Sequence, residues 1–536
     1  MQTQTDISDS RYAPGRPRRP GAAARVGASL AAVASVLTGK ALIGLGIRRP
    51  PEGWRRTVGI LLRSESTRFA LSAFGLRVPA GNDSPEGLRD TPAEGAEGNQ
   101  ARIARALQEF LSGEPDAHFA LEWRKHVTVR HAIPHVDVAL LGFADDGTLR
   151  GIEAYLAVTS GPGAPTPQVQ PRVHEAVIAA YNRTVQLPEF QRPSQLLQQV
   201  MQALGGQPDV QAYAKRILSA CCLSFEKFES SEAAARFCPP DFASRRALGL
   251  GYLSCVARAD DQRGLVDLWV SAHHVGLDGV PLQDLLVRLE RAWGPEPVTF
   301  PAVHQEPAFT GPRSCHAPGE RAVDLLVGFV DLSPVVALRR RLTEQHGSAI
   351  GGAVTFGTVM AWLLSQEPEF QGVRIASTVD VKASGGYERD VDVVPLRPAD
   401  FASGGGPWDG FVEFAREFNR LIGASRTRTS PLRVGMQTAG LLPPWVHATV
   451  VRSNPASLDD TFGSLCITIV RDAKVFVAPM TDLGLGHGFI AIGSADLPAA
   501  DGRRVASVSI KGDAGRVGHY PAILQRVVAR AGGQAP

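Results

Sequence analysis

Apolar and polar residues alternate most clearly in the second half of the chain, where the pattern predicts a mixed sheet covered by helices. Short apolar runs typical of strands occur at residues 373–380, 391–396, 465–470, 475–478, 489–492 and 505–510. Helical spacing of apolar residues begins after Ser333-Pro334, recurs at 355–364 and 411–421, and returns after Pro521. Helices set against such strands indicate a two-layer α/β sandwich.

In the first half, the alternating run 265–270 predicts a buried strand, and apolar residues at helical spacing after Pro281 predict a helix. The segment between them, residues 271–279, reads Ser-Ala-His-His-Val-Gly-Leu-Asp-Gly. It places two histidines and an aspartate on a tight loop between rigid elements, where catalytic groups are commonly held. A histidine can remove a proton from a hydroxyl, thiol or amine that attacks a carbonyl carbon. The alternative is a histidine pair bonded to backbone, with the aspartate capping the helix.

Stretches rich in proline and glycine divide the chain. Residues 1–100 are predicted to contain a basic disordered segment, an apolar helix at 26–47, a further helix pair at 54–76 and an acidic glycine- and proline-rich linker. One half is predicted at 101–293, a crossover linker at 294–321 and a second half at 322–536.

The apolar run from Val26 to Ile47 is interrupted by Lys40 and several glycines, which argues against a membrane span. A secretory signal would require a compact apolar region followed by a small-residue cleavage site, and the sequence has no clear one. The run therefore predicts a packed or surface-lying helix, and peripheral contact with a membrane stays open.

Composition is that of a soluble globular protein, with 44% hydrophobic and 20% charged residues. A net charge of +3, without a basic tract carrying aromatic residues, argues against nucleic acid as a partner. The six cysteines lack CxxC or metal-ligand spacing, which indicates reduced thiols in a cytoplasmic compartment. His126, His131 and His135 lack a carboxylate or cysteine at metal-site spacing, so the sequence predicts a polar strand face and no metal.

The pattern His-His-x-x-x-Asp-Gly at 273–279 resembles the active-site motif of the coenzyme A-dependent acyltransferase superfamily. This group includes chloramphenicol acetyltransferase, dihydrolipoamide acyltransferase catalytic domains, peptide-synthetase condensation domains and wax ester synthases. The resemblance implies that His274, beside His273, is the general base, that Asp278 supports the loop, and that Gly279 allows the turn out of it. It also implies two chloramphenicol-acetyltransferase-like sandwiches fused as a pseudo-dimer. The acyl donor would be a thioester of coenzyme A or of an acyl carrier protein, and the acceptor a small molecule.

The second half resembles the dihydrolipoamide acyltransferase catalytic domain at residues 331–339, which match its opening helix, and at 449–454, which match its Thr-x-x-x-Ser-Asn strand end. The resemblance implies that Ser453 stabilises the oxyanion and that Thr449 and Asn454 lie near the substrate. An ordinary solvated turn is the alternative. Where the histidine motif would recur, residues 511–517 read Lys-Gly-Asp-Ala-Gly-Arg-Val, which implies one site per chain, between His274 and Ser453.

The sequence thus predicts a cytoplasmic acyltransferase that moves an acyl group from a thioester to a hydroxyl, amine or thiol. A catalytically inactive relative, which keeps the fold as a binding or scaffold module, is the alternative. The retained His274 argues for the enzyme, and the degenerate second half argues for the module.

Overall fold

The computed structural model describes part of the chain. The described residues are 22–47, 59–60, 71–79, 98–114, 117–144, 146–156, 163–164, 166–185, 187, 191–227, 248, 252–260, 264–277, 279–293, 313–314, 323–381, 390–402, 404–427, 438–453, 463–470, 473–477, 487–493, 497–499, 503–513 and 515–533.

Up to residue 293, helices and strands follow one another in this order: α1 (Ala22–Gly44), β1 (Leu71–Pro79), α2 (Asn99–Gly113), β2 (Phe119–Trp123), β3 (Thr128–Ala132), β4 (Val138–Phe143), β5 (Leu149–Leu156), α3 (Gln170–Thr184), α4 (Arg192–Leu204), α5 (Pro208–Leu218), β6 (Cys221–Lys227), β7 (Leu253–Asp260), β8 (Leu265–His273) and α6 (Gly279–Ala292).

The second half continues with β9 (Arg313–Ser314), β10 (Val323–Val330), α7 (Ser333–Ile350), α8 (Phe356–Ser365), β11 (Ile375–Val381), β12 (Asp390–Leu396), α9 (Phe411–Arg426), α10 (Pro444–Ser453), β13 (Leu465–Val470), β14 (Val475–Val477), β15 (Gly488–Gly493), β16 (Leu497–Pro498), β17 (Arg504–Asp513) and α11 (Tyr520–Gly533). The helices and strands that the apolar pattern predicts for this half are confirmed, within a few residues at their ends.

The two large sheets repeat one topology. The first has the strand order β14-β1-β8-β7-β6-β4-β5, and the second has β12-β11-β13-β15-β17-β10-β9, with β16 paired to β17. Without β14, β9 and β16, each sheet runs first-sixth-fifth-fourth-second-third in the chain order of its own strands. The parallel and antiparallel pairs also fall at the same places in both sheets. The prediction of two fused sandwiches is confirmed.

Helices bury each sheet on the side that the amphipathic patterns predict. Side chains of α2 and α6 pack on one face of the first sheet. Those of α3, α4 and α5 form a second apolar cluster with β4, β5 and β6. In the second half, α7, α8, α9 and α11 share one core with the sheet. A further apolar cluster joins β1, β7 and β8 to β10, β14 and β17, so the two halves meet through their sheets.

A strand from the second half completes the first sheet. β14 pairs antiparallel with β1, with Ala73 opposite Val477 and Gly75 opposite Val475. Just before this strand, Lys474 donates a hydrogen bond to Glu290 of α6. The halves are therefore joined by backbone hydrogen bonds and an ion pair as well as by apolar packing.

The helix pair predicted at 54–76 is wrong where residues 71–79 form β1. This strand is buried along almost all its length, Arg77 included. The Nη2 of Arg77 donates to Asp267 Oδ2 of β8 at 2.8 Å, so its charge is compensated inside the protein. Because β1 belongs to the first sheet, the predicted boundary at residue 101 lies inside the first half and not at its start.

The predicted apolar helix is confirmed as α1, which packs against α10. Over the part of the chain that the structure describes, no helix combines the length and the apolar content needed to cross a bilayer.

Candidate functional site

The connection from β8 to α6 carries the predicted histidines. β8 lies between β1 and β7, and its last residue, His273, stands opposite Leu71. The backbone N–H of His273 donates to the carbonyl of Tyr252 at 3.0 Å, which fixes the strand end. α6 begins at Gly279, with Pro281 in its first turn, as the sequence predicts. The predicted strand at 265–270 is confirmed and extends to His273.

His273 is sealed inside the protein, with 1% of its surface exposed. Its Nδ1 accepts the backbone N–H of Val275 at 3.2 Å, and the rings of Trp123 and Tyr252 stand edge-on to it with centroids at 6.0 and 5.8 Å. Burial, and secondarily the charge of His274, lower the pKa of His273 to about 3. His273 is therefore neutral near pH 7, with its proton on Nε2, and it supports the turn.

The turn itself is tight and anchored on both sides. The carbonyl of His273 accepts the N–H groups of Gly276 at 2.8 Å and Leu277 at 3.1 Å. Val275 and Leu277 are each 1% exposed and belong to the core under α2 and α6. A Cβ at Gly276 would lie 2.0 Å from the ring of Phe119, so any larger residue here would require Phe119 to move. Sequence reasoning did not single out Gly276, although it stands inside the motif.

His274 is only partly buried, whereas its neighbours His273 and Val275 are each 1% exposed. The structure thus distinguishes the two histidines: His273 is fully buried and bonded to the turn, and His274 is partly buried. Asp278, the predicted support of this loop, lies outside the described residues. Gly279 is the first residue of α6.

The second-half candidates lie on a helix, so the predicted strand end at 449–454 is wrong. Thr449 and Ser453 belong to α10, and the Oγ1 of Thr449 donates to the carbonyl of Trp445 at 2.7 Å, four residues earlier. The β-branched run after Thr449 favours a strand, but Pro444 starts a helix whose apolar side packs on α1. Asn454 lies outside the described residues.

The structure therefore brings His273, His274 and Gly279 together on one connection. It places Thr449 and Ser453 on α10, whose described apolar contacts are with α1.

The repeated topology identifies the second-half counterpart of the histidines. His273 stands opposite Leu71, the first residue of β1, and Asp513 stands opposite Val323, the first residue of β10. Because β1 and β10 are equivalent, Asp513 occupies the place of His273. In the sequence, Asp513 is followed by Ala514, whereas His273 is followed by His274.

Polar side chains line the sheet faces that turn toward the other half. In the first sheet, the hydroxyl groups of Ser254 and Ser271 lie 2.9 Å apart. Ser271 comes two residues before His273 in β8 and therefore lies on the same face of the sheet. In the second sheet, Ser507, Ser509 and Lys511 are buried and pair with the residues of β10 that contribute to the cluster between the sheets. Sequence reasoning missed this row, because serines in an apolar strand carry no distinctive signal.

No family model and no curated protein matches the chain. Solved structures do. One is trichothecene 15-O-acetyltransferase from Fusarium sporotrichioides, with 10% identity over 89% of this chain and 93% of that chain and a TM-score of 0.44. Another is the first condensation domain of the CDA synthetase, with 11% identity, 89% and 95% coverage and a TM-score of 0.45. A third is polyketide synthase associated protein 5 from Mycobacterium tuberculosis, with 11% identity, 90% and 97% coverage and a TM-score of 0.40.

The chain is similar in structure to acyltransferases and condensation domains. With identities near a tenth and TM-scores below 0.5, this similarity concerns the fold, and no residue's role follows from it.

Proposed function

We propose that this protein is an acyltransferase that moves an acyl group from a thioester of coenzyme A or of a carrier protein to a small-molecule acceptor. The acceptor group would be a hydroxyl, an amine or a thiol, and His274 would be the general base. The observation that carries the proposal is the difference between the two histidines: His273 is buried and bonded to the turn, while His274 is partly open on a rigid loop.

In the proposed reaction a single side chain, that of His274, takes up the proton and later returns it. His274 takes the proton from the acceptor as the acceptor atom attacks the thioester carbonyl carbon. The tetrahedral intermediate then collapses, the carbon–sulfur bond breaks, and the thiolate takes the proton back from His274. One bond to the acyl carbon forms and one breaks, and the products are the acylated acceptor and a free thiol.

Single use of the motif also supports one site per chain. The second-half sequence reads Asp513-Ala514 where the first half reads His273-His274, so the histidine pair is not repeated in the sequence. Ser453 remains the proposed oxyanion donor. Its assignment was based on an expected strand end, whereas the structure has Ser453 at the end of helix α10. The general base and the oxyanion donor therefore need separate tests.

The test is release of free thiol from a panel of acyl-coenzyme A donors and small acceptors, followed by carrier-bound donors. Removing a general base typically costs about 100- to 10,000-fold in rate, so His274→Ala should lose that much. The matched control is His519→Ala, which removes an exposed histidine near α11. Equal release by the wild type and His274→Ala would refute the role of His274. No release by the wild type from either class of donor would favour the inactive binding module.

A further inference from the structure

Helix α1 buries one face, and its opposite, exposed face carries large apolar side chains together with Lys40. On the buried face, a Cβ at Gly39 would approach Leu441 Cδ2 to 3.0 Å, which shows how closely the helix lies against the segment before α10. Leu442 and Val446 form the core of this contact, and the α1 side chains that pack on it are Ala31, Ala32 and Val36.

The exposed face carries a row of large apolar side chains. Leu30, Val33 and Leu37 are 70%, 62% and 65% exposed, and their spacing places them on one side of the helix. Leu45 and Ile47, just after the helix, are 72% and 70% exposed. Elsewhere in the described parts of the chain, the exposed large apolar side chains are Val336, Trp445 and Val450. A row of this kind marks an interaction surface, whereas single exposed residues do not.

The charge around this helix has one sign. Between Asp9 and Glu52 the sequence contains no acidic residue and eight basic ones, namely Arg11, Arg16, Arg18, Arg19, Arg25, Lys40, Arg48 and Arg49. Because the whole chain carries a net charge of only +3, the rest of it is net negative. Two copies that met symmetrically through α1 would bring two such basic stretches together, which disfavours a second copy as the occupant.

We propose that α1 lies on an anionic membrane surface. Leu30, Val33 and Leu37 would enter the boundary between headgroups and acyl chains, and the positive charge of the surrounding sequence would be attracted to anionic headgroups. An apolar helix face combined with excess positive charge is what interfacial helices use, and both terms add to the binding strength. The proposal is independent of the acyl-transfer proposal, since it involves neither His274 nor the β8–α6 turn.

The experiment is flotation of the full-length protein with lipid vesicles. One set is phosphatidylcholine alone, and the other contains about one third phosphatidylglycerol, so that only the anionic surface charge differs. The test variant is Leu30→Gln with Leu37→Gln, since glutamine keeps a high helix propensity. The matched control is Val336→Gln, which changes an apolar side chain of α7 that is 37% exposed. Thermal unfolding checks that all three proteins are folded.

The wild type and Val336→Gln should bind the anionic vesicles, and the double variant should bind about 100-fold more weakly, or about tenfold for each leucine. Raising the salt to about 1 M should weaken wild-type binding, because the Debye length falls to about 3 Å. Equal binding to neutral vesicles, or equal binding by the double variant, would overturn the proposal. It would also be overturned by a wild-type dimer, measured by light scattering without lipid, that the double variant loses, because a second copy would then cover this face.

Discussion

Replacing His273 by asparagine should flatten the dependence of stability on pH between pH 6.5 and pH 5. In the folded protein, burial lowers the pKa of His273 from 6.5 to about 3, while in the unfolded chain it returns to its ordinary value. Below pH 6.5 the unfolded state therefore binds a proton that the folded state does not. The stabilisation is complete above the unfolded pKa and is lost as the pH falls toward the folded one.

The magnitude follows from the width of this window. Each unit of pH below the unfolded pKa costs about 1.4 kcal/mol of unfolding free energy, so at pH 5 the loss is about 2 kcal/mol. Asparagine is the informative replacement because its Oδ1 can accept the Val275 N–H in place of Nδ1. The variant also loses ring packing against Trp123 and Tyr252, which lowers its stability by the same amount at every pH.

The assay is urea unfolding followed by tryptophan fluorescence at pH 7.5, 6 and 5, with both proteins treated identically. The wild type should lose about 2 kcal/mol more than His273→Asn between the highest and lowest pH. His174, whose pKa burial also lowers, contributes the same pH dependence to both proteins. The difference between the two slopes therefore reports on His273. Equal slopes in the two proteins would refute the reasoning, since His273 would then take up its proton without unfolding.

Two further predictions concern steric fit and buried charge. Gly276→Ala should cost about 1–3 kcal/mol in urea unfolding, because Phe119 must move from the added methyl, whereas Gly151→Ala, which has open space around it, should cost nothing beyond error. Asp267→Asn should cost about 3–5 kcal/mol because it leaves the charge of Arg77 buried, and replacing both residues by apolar ones should recover most of that loss. A cost for Gly151→Ala equal to that for Gly276→Ala, or no recovery in the double replacement, would contradict these assignments.

The sequence was informative wherever a local pattern coincided with burial. The second sheet was predictable because its strands show apolar runs and its helices show one apolar face. β1 was not predictable, because Ser72, Gly75 and Arg77 interrupt its apolar run. The charge of Arg77 becomes acceptable only through Asp267, 190 residues later in the chain. A contact of that separation leaves no trace in a local window.

The turn at the candidate site shows the same limit at smaller scale. The strand, the two histidines and the helix start could be predicted from the order of the residues. The complete burial of His273 could not, because it depends on Trp123 of β2 and on Tyr252 just before β7, whose rings pack against it. The error at Thr449 has a related cause, since packing on α1 outweighs the strand preference of a β-branched run.

The repeated topology explains how one half could change its turn while the fold stayed the same. The contacts that join the halves are backbone pairing of β14 with β1, the ion pair of Lys474 with Glu290, and apolar burial between the sheets. None of these described contacts involves Asp513. At the turn after β8, the Nδ1 of His273 accepts the backbone N–H of Val275 and so stabilises the turn. His274, partly buried on the first-half turn, is the histidine whose proposed role as general base the thiol-release assay tests.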